Sequence, residues 1–313
     1  MTTTAKSLRA FLGAAPSVAL VEVAEAKGST PREKGAWMLV SPQRIFGTIG
    51  GGQLEFMAID AARALLSAAP HPYPLPVDDG ERGASTLTPA SFSPFTGRRS
   101  RQGDEGQLDS AEQNITLDIP LGPEIGQCCG GRVEIAIRNV DEKMRADLLA
   151  ASETSDAARP HVYVFGGGHV GHALASAFSL LPINVVVVET RADALEGMPD
   201  NVVTRLTPMP EEMVREAPAG AAFVVLTHDH ALDFLIVGEA LKRDDAAYVG
   251  MIGSKTKKAT FKSWFLKTTG GSEDVFARLV CPIGGDAVKD KRPAVIAALA
   301  AAEIMTALVS SAA

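Results

Sequence analysis

The stretch His161–Glu189, HVYVFGGGHVGHALASAFSLLPINVVVVE, decides the fold. Five mostly apolar residues lead into Gly166-Gly167-Gly168-His169-Val170-Gly171. A helical pattern follows, and a second apolar run ends at Glu189. Strand, glycine turn, helix, strand is a βαβ unit. A G-x-G-x-x-G string is weak by itself, but this one follows a strand, opens a helix, and has an acidic residue 18 positions after Gly171. That is the context of a phosphate cradle for a nucleotide. Gly166 suits the tight turn, Gly168 lets the backbone approach a phosphate, and Gly171 allows close helix–strand packing, while the helix N-terminus favours negative charge. Glu189 is placed to accept hydrogen bonds from a ribose.

The alternation continues to the C-terminus through the apolar runs VVTRL, AAFVVLTH, AYVGMIG and RLVCPI, separated by helical patterns and closed by PAVIAALAAAEIMTAL. Near-continuous apolar strands indicate a parallel sheet covered on both faces, so residues 161–313 read as a Rossmann-like doubly wound α/β domain. Ligands of such sheets bind beyond the carboxyl ends of the strands. That rim should carry Thr227-His228-Asp229-His230, Gly253-Ser254-Lys255 and Pro282–Asp286. Each segment is also what any fold of this kind needs to turn its chain, but several polar groups on one rim favour a site. His228 fits acid/base or phosphate-binding work with Lys255 as a cationic anchor. A zinc site at His228 and His230 lacks a third nominated ligand.

Residues 1–140 read as a smaller α/β domain: the helix AKSLRAFLGAA, strands SVALVEVAEA, WMLVSP and RIFGTIG, and the helix QLEFMAIDAARALLSAA. Residues 72–114, rich in Pro, Gly, Ser and charge, read as a long mobile loop. ITLDIPLGPEIGQCCGG and RVEIAIRNV should complete the sheet and bracket the cysteine pair, and residues 141–160 form a linker helix. Gly50-Gly51-Gly52 before a helix is either a second anion cradle or a flexible turn. Lys6 and Arg9 ahead of an apolar run imitate a signal peptide, but Pro16 and Ser17 break the run, and helix-then-strand is the better reading.

A net charge of −7 and 5% aromatic residues supply neither the basic face nor the stacking platforms of a nucleic-acid binder. No stretch reads as the roughly 20 apolar residues of a membrane span. Three cysteines, two of them adjacent, form no disulfide framework, which favours a reducing cytoplasm. The adjacent pair, Cys128 and Cys129, sits in GQCCGG (126–131). Neighbouring Cα atoms are about 3.8 Å apart against the roughly 5.5 Å a disulfide prefers, so a reactive or ligating thiolate is the stronger reading than a bridge.

GSTPREKGAWMLV, GTIGGGQLE, LGPEIGQCCGG, FGGGHVG, LTHDHALD and YVGMIGSKTKK together resemble the XdhC/CoxI family of xanthine dehydrogenase accessory proteins. The resemblance covers both domains apart from residues 72–114. It implies a cytoplasmic, homodimeric chaperone that binds molybdenum cofactor, holds it while a cysteine desulfurase supplies sulfur, and delivers it to the xanthine dehydrogenase apo-subunit. Cys128 and Cys129 with Gln127 occupy the family's cysteine motif, and Cys128 is the nominated metal ligand. Either glycine loop, 50–52 or 166–171, would hold the pterin phosphate, with Glu189, His228, Asp229, Ser254 and Lys255 around the second. A nucleotide could occupy the Rossmann cleft. The segment after Pro282-Ile283-Gly284 departs from the family pattern in carrying Lys289-Asp290-Lys291-Arg292. Two other functions remain open: an NAD(P)-dependent oxidoreductase using His228, and a sulfurtransferase carrying a persulfide on the cysteine pair.

Overall fold

The computed structural model describes residues 4–68, 114–122 and 130–311. Among these, residues up to Ser7 group by contact with those from Leu148 onward, and Leu8–Asp147 form a second unit.

In the first unit, β6 (His161–Phe165), β7 (Asn184–Glu189), β8 (Val203–Leu206), β9 (Ala222–Val225), β10 (Tyr248–Met251) and β11 (Leu279–Val280) form one parallel sheet. Their order is β11-β10-β9-β6-β7-β8, so chain direction across the sheet reverses between β6 and β9. Alternate residues of each strand point to opposite faces, and here both faces are covered. Val162, Val164, Val187 and Val224 pack with α4 (His169–Phe178) and α9 (Pro293–Ser311). Phe165, Val188, Phe223 and Val225 pack on the other side with α5 (Pro210–Glu216), α6 (His230–Lys242), α7 (Lys255–Thr268) and α8 (Glu273–Ala277). Burying each such side chain contributes about 1.5–3 kcal/mol. The doubly wound Rossmann-like architecture is thus present. The 3-10 turn Asp193–Leu195 and the short α8 were not anticipated. Contrary to expectation, α9 is long and apolar enough to cross a membrane. Its Ala297, Ala300, Ala301, Ile304 and Leu308 are nevertheless core residues of this sheet.

The other unit is an antiparallel sheet ordered β3-β2-β1-β5-β4: β1 (Ala19–Lys27), β2 (Trp37–Val40), β3 (Ile45–Gly47), β4 (Ile115–Pro120) and β5 (Arg132–Asn139). The helix α2 (Gly52–Ala68) buries Leu54, Ala58, Ala62 and Leu65 against Val21, Val23, Ile135 and Ile137. Positions spaced four, four and three apart lie on one helical face, the face that α2 turns toward the sheet. Phe11 of α1 (Ala5–Gly13) meets Phe46 of β3 with ring centroids 5.4 Å apart. The helix α3 (Glu142–Ala157), expected as a linker, carries the division between the units within it. The expected loop over 72–114 lies outside the described residues apart from Asn114.

Candidate functional site

The reversal between β6 and β9 sets the glycine turn beside the Thr227 loop at the carboxyl rim of the sheet. Gly166 has φ +118°, and a Cβ there would lie 2.5 Å from the Leu226 carbonyl oxygen. A Cβ on Gly171 would lie 2.1 Å from the Gly166 oxygen, so helix α4 sits tight against the turn. Gly168 is different: it is exposed, and a Cβ there meets nothing within 4 Å. It N-caps α4 without any side chain accepting from the first-turn amides, which leaves donors facing open space.

Glu189 is 4% exposed and lies beneath this turn. Its Oε2 accepts from the Gly167 amide at 2.9 Å; its Oε1 accepts from the Thr190 amide at 2.7 Å, the Thr190 hydroxyl at 3.1 Å and the Arg191 amide at 3.2 Å. Burial pushes the carboxyl upward, but the Gly167 and Thr190 amides and the Arg191 and Thr190 side chains outweigh it and hold Glu189 below its ordinary value. The sequence suggested a ribose acceptor; the structure gives Glu189 the work of holding the turn in shape.

The Thr227 loop is held from below in the same manner. Asp233 of α6 is fully buried and accepts at Oδ1 from the Thr227 amide (2.9 Å) and hydroxyl (2.7 Å). Its Oδ2 pairs with Lys257 of α7, whose Nζ also donates to the Ile252 carbonyl at 3.0 Å. One buried ion pair thus ties the ends of β9 and β10 to α6 and α7. Neither residue was singled out from sequence. The available signal was an acid inside an otherwise apolar helix, LDFLIVGEAL, where a charge needs a buried partner.

His228, Asp229 and His230 are exposed. Asp229 caps α6 by accepting from the Ala231 amide at 2.8 Å. Ser254 caps α7 by accepting from the Lys257 amide at 3.2 Å. Among the described residues no third metal-ligating side chain joins His228 and His230. Ser254 and Lys255 line a cleft of about 620 Å³ at the ends of β10 and β11, together with Ile252, Ile283, Lys289 and Lys291.

In the smaller unit, three turns meet at the ends of the strands. A Cβ on Gly50 would lie 2.7 Å from the Pro31 ring, and one on Gly131 would lie 2.2 Å from the Ser29 carbonyl oxygen. Gly50, Gly51 and Gly52 all have positive φ, the last opening α2. Glu55 of α2 braces this turn, accepting from the Ile49 amide at 2.9 Å and from the Thr48 hydroxyl. Residues Pro31–Ala36, with the exposed Arg32 and Lys34, line an open cleft of about 480 Å³. Gln127, Cys128 and Cys129 lie outside the described residues. Their neighbour Gly130 donates to the Leu121 carbonyl at 2.8 Å, and Gly131 accepts from the Leu121 amide at 2.8 Å. The one described cysteine, Cys281, is half-buried; burial pushes its thiol up, against the pull of Lys258 and Lys257.

Residues 162–304 match a family model described as the XdhC Rossmann domain, and residues 12–71 match one described as the XdhC and CoxI family. YqeB of Escherichia coli (strain K12), an uncharacterized protein, is 24% identical over 301 residues. That similarity takes in 92% of this chain and 43% of YqeB, so the chain spans less than half of that relative. A crystal structure described as a xanthine dehydrogenase from Bacillus halodurans has the same fold: TM-score 0.70 at 15% identity, over 99% of this chain and 96% of that one.

Proposed function

This chain belongs to the XdhC family, and we propose that it is a molybdenum-cofactor chaperone serving xanthine dehydrogenase maturation. Family membership suggests the accessory role; the finer reading makes the cofactor a cargo. The chain holds it during sulfuration by a cysteine desulfurase partner, delivers it to the apo-subunit, and works as a cytoplasmic homodimer.

The observation that carries the reading is the meeting of three family motifs in the small unit, where Gly131, two residues after Cys129 in sequence, packs on Ser29 while Gly50 packs on Pro31. Donor chemistry supports a division of labour. The described residues hold no cluster suited to a metal, and burial pushes the Cys281 thiol up from its ordinary value. A soft thiolate for molybdenum would therefore come from Cys128 or Cys129. Backbone amides at the glycine turns suit the phosphate of the pterin. Arg32, exposed beside the first turn, adds attraction for an anion.

The test is the composition of protein purified from cells that make the cofactor. Wild type should carry molybdenum and pterin in equal amounts, Cys128→Ala should carry neither, and Cys129→Ala should keep both. Wild-type protein without pterin refutes the proposal, and the opposite pattern in the two variants moves the ligand to Cys129.

A second reading concerns the Rossmann cleft. Open space above Gly168, beside unsatisfied α4 amides at the strand-order reversal, favours a nucleotide phosphate there. Gly168→Ala should keep the fold, since nothing crowds that position, and weaken nucleotide binding.

A further inference from the structure

We infer that the Rossmann cleft selects an adenine nucleotide bearing a 2′-phosphate on its ribose over one with a free 2′-hydroxyl, and that Arg191 makes the selection. The inference rests on the nucleotide reading of the glycine turn.

With a pyrophosphate on that turn, the adenosine ribose lies over the end of the second strand of the unit, which is β7 and its exit at Glu189, Thr190 and Arg191. A free ribose diol needs an acceptor there. Within the exit Glu189–Arg191 the carboxylate is Glu189, and its lone pairs are already spoken for: Oε1 takes three donors and Oε2 takes the Gly167 amide and faces the Arg191 guanidinium at 3.5 Å. At 4% exposure it offers little surface to a ligand. A carboxylate has about four acceptor sites, so a diol would have to displace a bond that shapes the turn. Arg191 has the opposite character. Its side chain is 46% exposed and pairs with Glu189 at 3.5 Å. Because Glu189 Oε2 also holds the Gly167 amide, the guanidinium is tethered beside the glycine turn rather than swinging free. A planar fork with five N–H donors matches a phosphate monoester and gains little from a neutral hydroxyl.

The experiment titrates the whole protein with adenosine 2′,5′-bisphosphate and with ADP by calorimetry, probes that carry no pterin or metal. Wild type should bind the first at least about tenfold more tightly, which is about 1.4 kcal/mol. Arg191→Ala should bring the two affinities within about threefold, and Arg191→Lys should keep an intermediate preference. Equal affinities in wild type, tighter ADP, no binding of either, or an Arg191→Ala protein with its preference intact would each overturn the inference. A melting temperature of Arg191→Ala near wild type confirms that the fold is kept, and Arg191→Lys repeats the comparison if it is not. Failure here leaves the molybdenum and pterin content unaffected, so the two readings fail separately.

Discussion

Replacing Asp233 by Asn tests whether the buried Asp233–Lys257 pair fixes the carboxyl rim of the parallel sheet. Asn keeps the shape but leaves the Lys257 ammonium, whose side chain is 9% exposed, with the Ile252 carbonyl as its remaining partner. Removing one partner from a buried pair costs about 3–5 kcal/mol, because the other charge stays desolvated and uncompensated. That is a large part of the 5–15 kcal/mol by which folded domains are stable. For a unit of this size it corresponds to a fall of about 6–20 °C in melting temperature. Lys257→Met should do similar damage from the other side, leaving Asp233 with its Thr227 donors alone. The double variant removes both charges and should lose no more than either single, since a buried pair exchanged for neutral groups is often close to neutral. Trp264, packed against Phe234 and Phe261 with centroids 5.7 and 5.8 Å away, reports on α6 and α7 directly. Urea unfolding followed by its fluorescence in a Trp37→Phe background gives the four free energies of the cycle. A coupling energy of at least about 2 kcal/mol is expected. Additive losses, with the double variant as unstable as the two singles summed, would refute the idea that the charges are mutually dependent.

Other changes probe the turns. Gly131→Ala drives a methyl to within 2.2 Å of the Ser29 carbonyl and should destabilise the small unit by about 1–3 kcal/mol or more in thermal unfolding, whereas Gly168→Ala should leave the stability within about 1 kcal/mol of wild type. Glu189 gives a pH signature. Its folded value is depressed, so its stabilising contribution is present above the ordinary carboxyl value of 4.5 and disappears as pH falls through the lower folded value. In a melting-temperature series from about pH 6 down to about pH 3, Glu189→Gln should be less stable at the upper end and converge toward wild type at the lower end. Glu55→Gln, which weakens the brace on Thr48 and Ile49, should loosen the turn before α2, seen as faster amide exchange at Ile49 with little change elsewhere.

The order of elements was legible in the sequence because strand and helix periods are local: the run of apolar strands and the glycine turn fixed the parallel Rossmann-like unit, and the motif strings fixed the family. The roles inside the site were not, since they depend on which atoms come within about 3 Å after folding. Glu189 reads as a ribose acceptor until the amides of Gly167, Thr190 and Arg191 are seen to occupy it. Asp233 and Lys257 stand 24 residues apart, and only the packing of α6 against α7 makes them a pair. The close contacts of Gly131 with Ser29 and Gly50 with Pro31 likewise join segments that sequence distance keeps separate. Local pattern therefore determined the architecture, while tertiary packing decided which polar groups were consumed in building the rim and which, Gly168 and Arg191 foremost, were left facing outward.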